Sequence, residues 1–222
     1  MEGLVWLLAV FIGYLFGSLP TGYIAGRIKG LDLRKVGSGN IGATNAFRNL
    51  GVVIGIVVLL VDVLKGLIPC IVFPGIIMKL FPDGYVPQSD YLSLTLGVAA
   101  ILGHNFSCWL GFKGGKGVAT TAGVVGGLAL IPFVICFVSW VLTLLITRYV
   151  SVASIIAAIV LPLATATWPS DLDNRFGILF WVFFVLGVMA ILKHVSNIQK
   201  LMNGSEHRLF DKKVLNNIKE ES

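Results

Sequence analysis

Residues 118–147 read VATTAGVVGGLALIPFVICFVSWVLTLLIT, an apolar run without a single charge. A helix that crosses a bilayer needs about 20 such residues. The run is therefore too long for one upright span and short for two. Gly126-Gly127 and Pro132 interrupt it, and proline kinks or ends a helix. We read it as two short helices, 118–130 and 133–147. That choice sets the parity of every segment on either side.

Working outward, apolar runs fall at 4–25, 51–79 and 91–102 before this stretch, and at 150–168 and 176–192 after it. Of the 222 residues 56% are hydrophobic and 13% are charged, about half the charge of a soluble domain; mean hydropathy is +0.90. The expected fold class is all-α: a polytopic integral membrane protein with seven transmembrane helices. Met1-Glu2 precedes the first run without a basic segment, and no small-residue cleavage site follows, so that run is expected to be a retained span.

Charge orients the seven helices. With the N-terminus outside, the inner face receives Arg27, Lys29, Arg34, Lys35, Arg48, Lys113, Lys116, Arg148 and the six Lys/Arg from Lys193 onward, fourteen of seventeen. The outer loops hold Asp83, Asp90, Asp171 and Asp173, with Lys79 and Arg175. This is a positive-inside pattern with a cytoplasmic C-terminus. A single helix over 118–147 would place either the first basic loop or the tail outside.

Three polar stretches then share the cytoplasmic face. The first, GSGNIGATNAFR over 37–48, offers a dense set of hydrogen-bonding groups, and Arg48 could grip a phosphate bidentately. The second, GHNFSCWLGFKGGKG over 103–117, opens on His104 and Asn105 and sets Lys113 and Lys116 among Gly114, Gly115 and Gly117. Glycine lets backbone N–H groups approach a ligand, lysine supplies point charges, and a helix starting at Val118 would aim its unpaired N–H groups at an anion. The stretch is not a Walker A loop: Leu110 stands where the first glycine should be, and Gly117 follows Lys116. The third, from Lys193 to Glu206, puts His194 and Asn197 one turn apart if the last helix runs on past Leu192.

Asp62 and Lys65 fall inside the second span at i and i+3; a structural ion pair is expected, since ionisable groups in a span face the protein interior or water. Cys70, Cys108 and Cys136 are far apart, with neither disulfide-framework nor metal spacing, and read as small buried hydrophobes. Two classes compete with an enzyme. A transporter of an organic phosphate would explain intramembrane charge and glycine-broken helices, yet no internal repeat is visible and the polar stretches gather on one face rather than at mid-membrane. A scaffold attracted to anionic lipid gives no reason for the lysine–glycine loop.

The three stretches, in this order, resemble the bacterial membrane acyl phosphate:glycerol-3-phosphate acyltransferases. Thr147-Arg148-Tyr149-Val150-Ser151 looks like a fourth family element, and the likeness runs from Gly17 to about Glu206. It implies one membrane acyltransferase domain over 1–222 in the bacterial inner membrane, with its active site facing the cytoplasm. The implied reaction moves a fatty acyl group from acyl phosphate to the 1-hydroxyl of sn-glycerol 3-phosphate, giving lysophosphatidic acid and phosphate. No cofactor, metal or nucleic acid is implied; the partners are the two substrates and membrane lipid, and the oligomeric state stays open. The resemblance carries catalytic roles to Ser38, Arg48, His194 and Asn197. It carries substrate binding to Asn40, Thr44, Asn45, His104, Asn105, Lys113, Gly114, Gly115, Lys116, Gly117, Arg148 and Ser151, and a structural role to Glu206. Family members often have Arg where this chain has Lys193 and Lys200, and Thr where it has Ser205; lysine lacks the bidentate fork. The H-x-x-x-x-D motif of a separate acyltransferase superfamily is absent: Trp109, Gln199 and Lys212 stand five residues after His104, His194 and His207.

Overall fold

The computed structural model describes residues 2–81, 89–168 and 177–209. Asp83, Asp171, Asp173, Arg175, Lys212, Lys213 and Lys219, used above to orient the chain, lie outside the described residues. All regular structure among the described residues is helical. It falls into two compact units, within Met1–Leu128 and within Ala129–Ser222.

The first unit holds α1 (Glu2–Ser18), α2 (Thr21–Ile28), α3 (Ala43–Leu50), α4 (Val52–Ile71), α5 (Phe73–Leu80), α6 (Ser89–Asn105), a 3₁₀ turn at Cys108–Leu110, and α7 (Val118–Leu128). Helix α1 packs along α6, and α4 packs against α3, α6 and α7. In lipid these contacts lack the hydrophobic drive they would have in water, and small residues that let backbones approach take its place. Gly13 and Gly17 of α1 lie so close to α6 that a Cβ on Gly13 would stand 2.6 Å from the Leu96 carbonyl oxygen, and one on Gly17 would run into the Ala100 backbone. Gly66 and Gly123 make the same kind of crossing between α4 and α7. Apolar contacts fill the remainder: Val5, Ala9, Ile77, Leu92 and Leu96 form one cluster, and Leu33, Ala46, Leu50 and Val58 another.

The second unit holds α8 (Leu130–Thr147), α9 (Val150–Thr167), α10 (Ile178–Lys193) and α11 (Val195–Met202). Helix α9 packs against α8 and α10. On α8 only Pro132 is buried, and Leu130, Val134, Phe137, Leu142, Leu145 and Ile146 are exposed, as expected of a helix whose solvent is lipid.

Four expected boundaries shift. The first span is broken: α1 stops at Ser18 and α2 begins at Thr21, because Pro20 disfavours a helical conformation at Leu19. The second is one apolar stretch interrupted at Val72, between α4 and α5 and two residues before Pro74. The 118–147 run divides at Ala129 rather than at Pro132; Pro132 is the third residue of α8, where its missing N–H would have had no helical partner anyway. The last helix does not run on past Leu192 as one rod. It breaks at His194, and α11 leaves at 50° to α10.

Among the described residues, five stretches can cross a bilayer by length and composition: Glu2–Ile28, Val52–Leu80, Asp90–Leu110, Leu130–Thr147 and Val150–Thr167. The bent pair α10 and α11 makes a sixth if taken together. Helix α7 has eleven residues, about 16 Å at 1.5 Å per residue against a hydrocarbon core of roughly 30 Å.

Candidate active site

The loop before α3 is built around one amide. Asn45, 2% exposed, donates from Nδ2 to the carbonyls of Leu33, Val36 and Asn40 at 3.0, 3.2 and 2.8 Å. Two hydrogens serving three acceptors means one is shared. Its Oδ1 accepts the Ser38 N–H at 3.1 Å and the Asn49 amide at 3.0 Å. Gly37 turns beneath it with φ +58, and any Cβ there would strike Asn45 Oδ1. Asn40 Oδ1 accepts the Gly42 N–H at 2.7 Å, closing the turn into α3. Asn45 and Asn40 thus hold the loop, which leaves Ser38 exposed on its outer side with Oγ 3.4 Å from the Asn40 N–H. Thr44 and Arg48 follow one turn apart on α3, both half-buried. Arg34 is otherwise engaged: it grips Asp32 with two side-chain bonds at 2.9 and 2.7 Å and covers the Tyr23 ring. Those hydrogen bonds hold the Asp32 carboxyl at about 2, below the usual carboxylate range.

The lysine–glycine loop folds back over the end of α6. Gly114 N–H donates to the Asn105 carbonyl at 3.2 Å, and Gly115 N–H to the His104 carbonyl at 3.0 Å. His104 and Asn105 are buried beneath. A Cβ on Gly115 would collide with the His104 ring, and one on Gly117 (φ +80) would stand 2.7 Å from Asn105 Oδ1. Lys113 is exposed and Lys116 half-buried on the loop's outer side, and α7 starts one residue after Gly117. The approach to this loop is tied to α1. Ser107 Oγ donates to the Ser18 carbonyl at 2.6 Å, Trp109 Nε1 to Ser18 Oγ at 2.9 Å, and Tyr14 Oη to the Phe106 carbonyl at 2.6 Å.

In the second unit His194 is the break residue between α10 and α11, 3% exposed, with Nδ1 2.8 Å from the Ala190 carbonyl. A carbonyl can only accept, so Nδ1 carries the proton and, in the neutral ring, Nε2 is the basic nitrogen. Asn197 donates from Nδ2 to Glu206 Oε1 at 2.8 Å, and Ser151 Oγ donates to the same oxygen at 2.8 Å. Gly204 (φ +67) turns the chain out of α11: its N–H bonds the Leu201 carbonyl and that of Ser205 the Lys200 carbonyl, the Schellman arrangement. Arg148, exposed, ends α8 at φ +62, and its carbonyl accepts the Leu209 N–H.

A sequence profile described as "Glycerol-3-phosphate acyltransferase" matches residues 7–204. The chain belongs to the glycerol-3-phosphate acyltransferase family. A glycerol-3-phosphate acyltransferase of Chlorobaculum tepidum is 41% identical over 226 residues, covering 93% of this chain and 97% of that one. A Geobacter sulfurreducens protein of the same name is 43% identical, over 91% of this chain and 96% of its own. The crystal structure of PlsY (YgiH), an integral membrane glycerol 3-phosphate acyltransferase, in its glycerol 3-phosphate form, superposes with a TM-score of 0.77 at 38% identity over 93% of this chain and 96% of that chain. Its lysophosphatidic acid form matches with the same TM-score at 36% identity, over 95% and 98%. This acyltransferase is accordingly a membrane enzyme built of helices.

Asp62 and Lys65 pair at 2.7 Å as their spacing predicts. The structure also joins residues that sequence reasoning left apart: Lys65 Nζ reaches the Leu19 carbonyl at 2.9 Å. His104 Nδ1 lies 3.8 Å from Asp62 Oδ1. Tyr149, whose hydroxyl lies 3.4 Å from Arg208 Nε, was not singled out either; its place beside Arg148 was the available signal. The three cysteines are free.

Proposed function

We propose that this enzyme acylates the 1-hydroxyl of glycerol 3-phosphate with acyl phosphate as donor, releasing lysophosphatidic acid and phosphate. The observation that carries the reading is family membership over nearly the whole chain with all three polar motifs present. The glycerol 3-phosphate and lysophosphatidic acid forms of PlsY support acceptor and product. The donor rests on the family resemblance and on the missing H-x-x-x-x-D motif.

Both substrates are anions, and surrounding cations and N–H dipoles lessen their repulsion. We assign Lys113, Lys116 and the Gly117 N–H at the start of α7 to the phosphate of glycerol 3-phosphate, with Gly114 and Gly115, whose own N–H groups bond the Asn105 and His104 carbonyls, setting the shape of the loop around it. Arg48 is assigned to the donor phosphate, with Asn40, Thr44 and Asn45 shaping its loop; the family resemblance gives Arg148 and Ser151 of the second unit substrate-binding roles. Acyl phosphate is already activated, so positioning removes much of the barrier. The acceptor oxygen adds to the acyl carbonyl carbon. Ser38 Oγ stabilises the developing oxyanion, and the C–O bond to phosphate then breaks. The hydroxyl proton passes to His194 Nε2 or to the departing phosphate. Asn197 orients this face of the reaction, and Glu206, which accepts from both Asn197 and Ser151, is assigned a structural role.

The chain is proposed to act as a single domain in the bacterial inner membrane. It would cross seven times, with the N-terminus outside and the motifs and C-terminus cytoplasmic. The placement of basic residues supports this, with α7 as the shortest crossing. The test of function is an assay of purified enzyme in detergent, comparing acyl phosphate with acyl-CoA. Transport needs a closed compartment and catalysis does not, so turnover in detergent also rejects the transporter reading.

A further inference from the structure

The buried charges of the first unit lie outside the assigned motifs except at one point. Asp62 and Lys65 are 2% and 3% exposed and sit on adjacent turns of α4. The ammonium of Lys65 bridges Asp62 Oδ1 and the Leu19 carbonyl, in the gap that Pro20 opens between α1 and α2. Asp62 Oδ1 also faces His104 Nδ1 at 3.8 Å, and Gly115 rests on the His104 ring with no room for a Cβ. One contiguous set of contacts thus runs from the broken end of α1, through α4, to the underside of the lysine–glycine loop.

A buried ion pair is a poor device for stability alone, because desolvation offsets the attraction and apolar residues of similar volume often serve as well. What this pair meets is the imidazole, with His104 Nδ1 3.8 Å from Asp62 Oδ1. Three of the four residues over 114–117 are glycines, and a backbone so permissive takes its shape from what lies against it. Here that is the side chain of His104 and the carbonyls of His104 and Asn105. We infer that Asp62, with Lys65 as its counter-ion, is a positioning residue for acyl transfer: through His104 it sets the loop that receives the phosphate of glycerol 3-phosphate. This inference rests on the reading of that loop given above.

The test is a cycle of variants assayed in both substrates. Asp62→Leu with Lys65→Met removes both charges and leaves none buried and unpaired. This protein should fold, yet its KM for glycerol 3-phosphate should rise about tenfold or more, with the donor KM within about twofold, since loss of binding alone appears in KM. His104→Ala alone should give a comparable rise. Combining all three changes should add little, because residues acting through one path are not additive. Should the double variant fail to fold, Asp62→Asn takes its place in the cycle with the same expectations. A folded variant with the parental KM, or effects that multiply in the combination, overturns the positioning role. Lys116→Ala is the control for the underlying reading. If it raises KM while the Asp62 variants do not, only this inference falls; if Lys116→Ala leaves KM unchanged, the loop reading falls and the inference with it.

Discussion

The hydroxyl of Ser151 donates to Oε1 of Glu206 at 2.8 Å across fifty-five residues of sequence. Asn197 donates to the same oxygen, so one carboxylate joins the first turn of α9 to α11. The site suits a negative charge, since the N-terminal turn of a helix presents unpaired N–H groups. Glu206→Ala strands two donors in buried side chains and is expected to destabilise the protein by about 1–3 kcal/mol. Glu206→Gln keeps an acceptor oxygen and should lose less. Thermal unfolding in detergent measures both; equal melting of Glu206→Ala and the parent would show the bonds to be idle.

Gly115→Ala should raise the KM for glycerol 3-phosphate, because its methyl group would enter the space of the His104 ring. Gly75→Ala on α5 has nothing within 4 Å to meet and serves as the control. An unchanged KM for Gly115→Ala would mean that the loop rides over the methyl group without cost.

Orientation is open to labelling in a background without cysteine. Cysteines placed at exposed Lys35, Lys113 and Asn203 should react from the cytoplasmic side, and one at exposed Asp90 from outside. The expectation comes from the distribution of basic residues. Opposite labelling of Lys35 and Asn203 would reject seven crossings.

Donor choice is decided by substrate. Acyl phosphate should support product formation without coenzyme A or acyl carrier protein, and EDTA should not abolish it. Equal turnover with acyl-CoA would contradict the assignment.

Two loops should fail differently. On the assignment proposed above, Lys116→Ala removes charge that holds a non-reacting phosphate equally in ground and transition states, so KM should rise and kcat change little. On the same assignment Ser38→Ala removes a donor aimed at developing charge, where one such group is worth roughly 10²–10³ in kcat. If kcat of Ser38→Ala stays within about threefold of the parent, well short of that loss, Ser38 is only a loop hydroxyl.

The helical membrane fold was legible because apolar runs long enough to span lipid have few other uses. The pairing of Asp62 with Lys65 was legible too, since it depends only on helical spacing. What joins distant segments was not. Pro20 was visible, but the group that meets the freed Leu19 carbonyl lies forty-six residues on. The turn at His194 has neither proline nor glycine beside it, so nothing local announces it. Asn45 read as one hydrogen-bonding residue among many; only the folded loop shows its amide engaged by five backbone and side-chain groups.

The salt bridge on α4 also bears on how the protein is made. Isolated Asp or Lys at the centre of an inserting helix costs about 2.5–3.5 kcal/mol. Because Asp62 and Lys65 are three residues apart on one helix, each leaves the ribosome beside its counter-charge. By then the Leu19 carbonyl is already synthesised and His104 is not. The second span can therefore partition into lipid as a neutral unit and wait there, its imidazole partner arriving only when the third span follows.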